Sequence, residues 1–111
     1  MSLAGGIVEL VESAARREHF ARVTQLRIEA GKLSGVELRA LRFALESLAP
    51  GTCLAGADFV FDEPPGTAWC LGCSTTVEIN DRTDPCPRCD GYRLQATGGT
   101  ELRVIDMQVQ D

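Results

Sequence analysis

The sequence predicts an α+β fold: a small mixed three-stranded sheet with two helices, plus an inserted segment built around four cysteines. Three observations predict it. Two stretches carry apolar residues at helical period and three carry them at period two. Between residues 67 and 98 the composition shifts, losing aliphatics and gaining Cys, Thr, Asp and Gly. At 111 residues the chain can bury one modest core, with a small appendage that needs help to fold.

Residues 3–18 place Leu3, Ile7, Leu10, Val11, Ala14 and Ala15 on one stripe, with Glu9, Glu12, Arg16 and Arg17 mostly off it, which predicts an amphipathic helix. Gly5 and Gly6 each cost roughly 1 kcal/mol relative to Ala inside a helix, so the first turn is either weak or tightly packed. Arg22 to Ala30 alternates, with Leu26, Ile28 and Ala30 on one face, as in a half-buried strand. A second helix follows with Ser34 as N-cap, Glu37 closing a capping box, and Leu33 and Leu38 as the hydrophobic staple. Leu38, Leu41, Leu45 and Leu48 form its buried stripe, and Pro50-Gly51 ends it.

Ala57 to Glu63 alternates again, with Ala57, Phe59 and Phe61 inward, until Pro64-Pro65-Gly66 breaks the run. After Gly98-Gly99 a last strand occupies residues 101–110, its apolar phase slipping between Val104 and Ile105. The strand–helix–strand unit reads as a parallel crossover. The strands leading out to the cysteine segment and back from it read as antiparallel to each other.

Four of the five cysteines form two hooks, Cys70-x2-Cys73 and Cys86-x2-Cys89, twelve residues apart. Each hook can turn two sulfurs toward one tetrahedral ion at about 2.3 Å. Gly72 and Asp90-Gly91 supply the backbone freedom such turns need, and Thr75–Ile79 can form a short strand between them. The spacing is close to that of zinc ribbons, so residues 67–98 read as an inserted four-cysteine, zinc-ribbon-like domain. Four thiolates leave no open coordination position, which makes the site structural. Two disulfides and a rubredoxin-like iron site are the alternatives, disfavoured by compartment and by the absence of an evident redox role. Trp69 is expected to pack the root of this segment against the sheet.

Other chemistry is poorly represented. Cys53 reads as an incidental small side chain in a loop, and His19 as a cation suited to the end of the first helix. There is no paired-carboxylate, Ser/His/Asp or phosphate-loop pattern, so an enzyme is not expected. The net charge is −5, and about −7 with a divalent ion in four thiolates, which argues against nucleic acid. No apolar run is long enough for a membrane span, and the start lacks a basic signal region, so a cytoplasmic location is expected.

The blocks SLAGGIVELVE, RVTQLRIEAGKLSGV and ALRFALESLAPGT, the paired CxxC hooks and GTELRV together resemble the HypA/HybF family, in order and spacing. That family comprises the nickel metallochaperones of [NiFe]-hydrogenase maturation. The resemblance implies a nickel-chaperone α/β domain at 1–66 completed by 99–111, with the zinc domain 67–98 inserted. It also implies nickel as transported ion, a structural zinc, a GTPase partner of the HypB type, and delivery to the [NiFe]-hydrogenase large subunit. Family chains begin Met-His-Glu and hold nickel through that histidine and nearby backbone nitrogens. Aligned on SLA, Met1 falls on the family's fourth residue, and His19 does not match the nickel ligand. A start placed three residues late, or a shortened chain, is therefore expected. Glu37 lies where some relatives carry an acid implicated on the nickel side, although capping already accounts for it. The competing reading is a zinc-ribbon protein-interaction adaptor without nickel function.

Overall fold

The computed structural model describes residues 2–111; Met1, which the resemblance sets at the family's fourth position, lies outside them. The elements run α1 (Leu3–Glu18), β1 (Arg22–Ala30), α2 (Leu38–Leu48), β2 (Asp58–Asp62), β3 (Gly66–Cys70), β4 (Thr75–Ile79), β5 (Leu94–Gly98) and β6 (Leu102–Gln110). They divide between two compact units. One is built from residues up to Ile28 with Glu37–Phe61 and Val104–Asp111, and the other from Glu29–Val36 with Asp62–Arg103.

In the first unit α1 starts at Ser2, whose Oγ accepts from the Gly5 amide at 3.0 Å, and it ends at His19 in the left-handed region. Ala4, Val11 and Ala14 are buried, whereas Leu3 and Leu10 stay 52% and 55% exposed, which corrects the expected stripe. The apolar arc of α1 is wider than the surface it packs on, and those two leucines sit at its uncovered edge. Nothing lies within 4 Å of where a Gly6 Cβ would be, so tight packing is not the reason for that glycine.

β1 lies between β2 and β6. The Val23 amide donates to Cys53 O and the Lys32 amide to Pro64 O, so β2 runs parallel to β1. The Ala21 amide donates to Gln110 O and that of Gly31 to Glu101 O, so β6 runs antiparallel to it. The sheet is mixed, as expected, and the crossover through α2 is parallel. β2 and β6 do run in opposite directions, but with β1 between them. Val23, Leu26, Ile28 and Ala30 are the buried positions of β1. In β6 Leu102 and Val104 are half-buried, and then Met107, so the phase slips where the sequence breaks alternation.

The start of α2 differs from expectation. Glu37, not Ser34, is the N-cap, its carboxylate accepting from the amides of Arg39 at 3.3 Å and Ala40 at 2.7 Å. Gly35 at φ 76 turns the chain out of helical geometry, so no helix can begin at Ser34. Ser34 instead accepts from the Val36 amide at 3.4 Å, within the turn. A carboxylate suits the N-cap because it satisfies two orphan donors and carries the charge the helix N-terminus favours. Leu33, expected as one half of the staple, is buried in the core of the second unit.

That second unit is a sheet of order β4-β3-β5, all antiparallel. Alternation along β3 and β4 turns Gly66, Ala68 and Cys70, with Val77 and Ile79, to one face. Leu33 and Cys86 complete the core on that face, and Cys73 and Leu94 pack against it partly buried. Gly66 is needed there, because a Cβ would lie 2.4 Å from Leu33 Cγ. Trp69 is 39% exposed on the opposite face, between Thr76 and Gln95, so it does not fasten the segment as expected. Within this unit Leu33 and Ala68 share the buried core, and Arg82 adds a bond from its Nε to Leu33 O at 3.1 Å.

Candidate metal centre

The two hooks are the same turn used twice. In the first, the Ser74 amide donates to Cys70 O at 2.8 Å, and in the second the Asp90 amide donates to Cys86 O at the same distance. The residue after each hook, Ser74 at φ 51 and Asp90 at φ 61, takes the left-handed conformation. Backbone freedom is therefore used at these two positions rather than at Gly72 and Gly91. Gly91 is small for a different reason, since its Cβ would stand 3.3 Å from Cys89 Sγ. Within the hooks the Cys73 amide points at Cys70 Sγ and the Arg88 amide at Cys86 Sγ, each at 3.4 Å, which favours charge on sulfur.

The sulfurs of Cys70, Cys73, Cys86 and Cys89 all lie within 4.8 Å of one another. Cys70 to Cys89 is 3.8 Å and Cys73 to Cys86 is 3.9 Å. A tetrahedral ion with bonds of about 2.3 Å requires sulfurs about 3.8 Å apart, whereas a disulfide requires about 2.05 Å. The four side chains thus fit a single four-coordinate structural metal and do not fit two disulfides. Cys70 and Cys86 are buried, Cys73 is partly buried and Cys89 is exposed, so the cluster has one wet edge.

Electrostatics agree with that fit. The Cys73 thiol is pushed up to about 12, first by hydrogen bonding with the Cys89 thiol, then by burial and by its bonds with Cys70 and Cys86. Burial is the largest influence on Cys86 and opposes ionisation, yet the amides of Arg88 and Cys89 and the neighbouring thiols hold it lower, at about 7. Four thiols this close cannot all ionise against one another. A divalent cation at their centre removes the conflict.

Cys53 belongs to the first unit and takes no part. Its amide donates to the Glu12 carboxylate at 2.6 Å, and burial with Glu12 pushes its thiol up to about 11, which leaves it inert. His19 is a C-cap, its amide donating to Ala15 O. The αL positions, the N–H···S bonds and the packing of Leu33 with the cysteine core escaped sequence reasoning. Only the repetition of the hooks carried a signal for the first two.

Residues 1–109 match the family described as HypA, hydrogenase/urease nickel incorporation, metallochaperone. The hydrogenase maturation factor HypA of Cupriavidus necator is 65% identical over 111 residues, covering 100% of this chain and 93% of that protein. The one from Polaromonas naphthalenivorans is 64% identical over 110 residues, covering 99% and 96%. Among solved structures, the Ni metallochaperone HypA from Helicobacter pylori in solution superposes with a TM-score of 0.66 at 16% identity, covering 97% of this chain and 94% of that one. At that identity the likeness speaks for the fold alone, and it is the same fold. A whole-chain family match, relatives at nearly two-thirds identity and a four-cysteine centre on this scaffold lead to one conclusion: the chain belongs to the HypA family of nickel metallochaperones for hydrogenase maturation.

Proposed function

We propose that this chain captures Ni(II) and hands it on during [NiFe]-hydrogenase maturation, as a cytoplasmic carrier rather than an enzyme. Cys70, Cys73, Cys86 and Cys89 hold a structural zinc within an inserted zinc-binding domain, 67–98. The remainder, 1–66 with 99–111, is the nickel-chaperone domain. It works with a GTPase of the HypB type and delivers to the hydrogenase large subunit, and it binds neither nucleic acid nor membrane.

The observation that carries this reading is a closed thiol cage in a chain that matches the chaperone family from end to end. A carrier must hold its cargo tightly enough to capture it and openly enough to release it. Four thiolates around one ion leave no open position for an incoming acceptor ligand, and they match zinc in softness and geometry. Nickel therefore binds elsewhere. The family pattern puts it on an N-terminal histidine with deprotonated amides, a nitrogen set suited to square-planar Ni(II). The net charge of −5 supports the exclusion of nucleic acid, and no helix among the described residues is long and apolar enough to cross a membrane.

The test compares the chain beginning at Met1 with one carrying Met-His-Glu ahead of it. The shorter chain is expected to hold one zinc and to bind nickel weakly. The extended one should hold the same zinc and bind one nickel tightly, with a square-planar absorption band. Micromolar or tighter one-to-one nickel binding by the shorter chain, with zinc in place, would show that the nickel site has been misplaced.

A further inference from the structure

We infer that Arg93 is the counter-charge of the four-cysteine centre, a positioning residue that sets how slowly the centre gives up its metal. The inference rests on the reading of those cysteines as a metal site. A divalent ion in four thiolates leaves a net charge of −2 on a centre with one exposed edge.

Arg93 faces that edge. Its Nη2 lies 3.8 Å from the point a Cβ on Gly72 would occupy, and Cys89 Sγ and Cys70 Sγ lie 3.7 and 3.8 Å from the same point. The guanidinium nitrogen is thus within about 8 Å of both sulfurs, inside the ~10 Å screening length at 0.1 M salt. Gly72 has no side chain to stand between them. The backbone holds this arrangement, because the Leu71 amide donates to Arg93 O at 2.9 Å and places residue 93 alongside the first hook.

Of the four other cations of this unit, three are committed elsewhere, and Arg88, inside the second hook, is not. Arg82 is bonded to Leu33 O, Lys32 to Asn80, and Arg103 to Glu29. Among the described residues the Arg93 guanidinium has neither a hydrogen bond nor an ion pair. In a chain of net charge −5, an arginine without a carboxylate partner beside the exposed cysteine has a clear electrostatic use. It offsets the negative charge of the loaded centre from beside Cys89, the ligand residue that is most exposed. Loss of a partner hydrogen-bonded to a metal ligand typically costs about 10–100-fold, and a charge acting at this longer range belongs at the low end.

The experiment follows transfer of zinc from the full chain to a chromophoric chelator, in parallel with cobalt(II) titration. Arg93→Ala should release zinc about tenfold faster than the parent at low salt, and Arg93→Lys should restore most of the difference. High salt should shrink the gap, because the interaction crosses solvent. The cobalt spectrum should be the same in all three, since no ligand changes. Arg88→Ala removes the same charge from the second hook and should have the smaller effect. Equal release from parent and Arg93→Ala would overturn the inference while leaving the metal site standing. So would equal acceleration by Arg88→Ala, which would mean that only net charge matters. A parent chain that takes up neither zinc nor cobalt would overturn both the inference and the metal-site reading.

Discussion

Glu37 satisfies two amides at the start of α2, whereas Ser34 accepts a single bond in the turn before it. Loss of an N-cap typically costs about 1 kcal/mol, so Glu37→Ala should lower thermal stability by that order and Ser34→Ala by much less. Paired melts of the two variants against the parent check this. A larger loss for Ser34→Ala would return the cap to the serine. Glu37→Gln is the useful companion: it keeps one of the two accepting oxygens and removes the charge, so its loss should fall between those of Glu37→Ala and Ser34→Ala. Gly31 shows a residue chosen for what it lacks, because a Cβ there would collide with the backbone at Gly99.

α1 shows how much of an element's apolar face its own fold can leave uncovered. Ala4, Val11 and Ala14 are packed, while Leu3 and Leu10 stand half exposed on either side of Gly6. A groove of about 620 Å³ runs over Gly6, Glu9, Leu10, Ser13 and Arg17. Leu10 is the one large apolar side chain in its lining, so a GTPase partner docking on α1 would have to anchor there. Leu10→Glu should leave the melting temperature within about 2 °C of the parent, since an exposed substitution costs little. It should weaken capture of the GTPase at least about tenfold in a binding titration, the cost of losing one anchoring side chain. Undiminished capture would move the partner to another surface.

At the scale of the molecule, the two units differ in what holds them together. The first has Val11, Val23, Leu26, Ile28, Leu45 and Leu54 fully buried. The second has a core of six residues, two of them cysteines that face the metal centre. For so small a unit, metal binding is largely folding energy, roughly 10–16 kcal/mol in finger peptides. Chelation should therefore abolish amide protection through residues 29–36 and 62–103 and spare the first unit, as hydrogen exchange can read. Acid should act in the same direction, because protons compete with the ion for thiolates. Protection of β3 and β4 that survives full metal removal would mean that Leu33, Ala68, Val77 and Ile79 suffice on their own.

Periodicity and spacing determined a good deal here. Period two and period 3.6 located both helices and the strands of the mixed sheet, since in those stretches one face is largely buried. The cysteine hooks were legible because a metal constrains ligand type and spacing locally. β3 and β5 were not, because their burial comes from partners far along the chain: Ala68 pairs with Val77 and Ala96, and Leu33 reaches the core from beyond β1. The reassignment of the cap from Ser34 to Glu37, the exposure of Leu10 and Trp69, and the approach of Arg93 to the cluster are likewise tertiary decisions. Each depends on what the rest of the chain covers, and coverage is a long-range property that no local pattern contains.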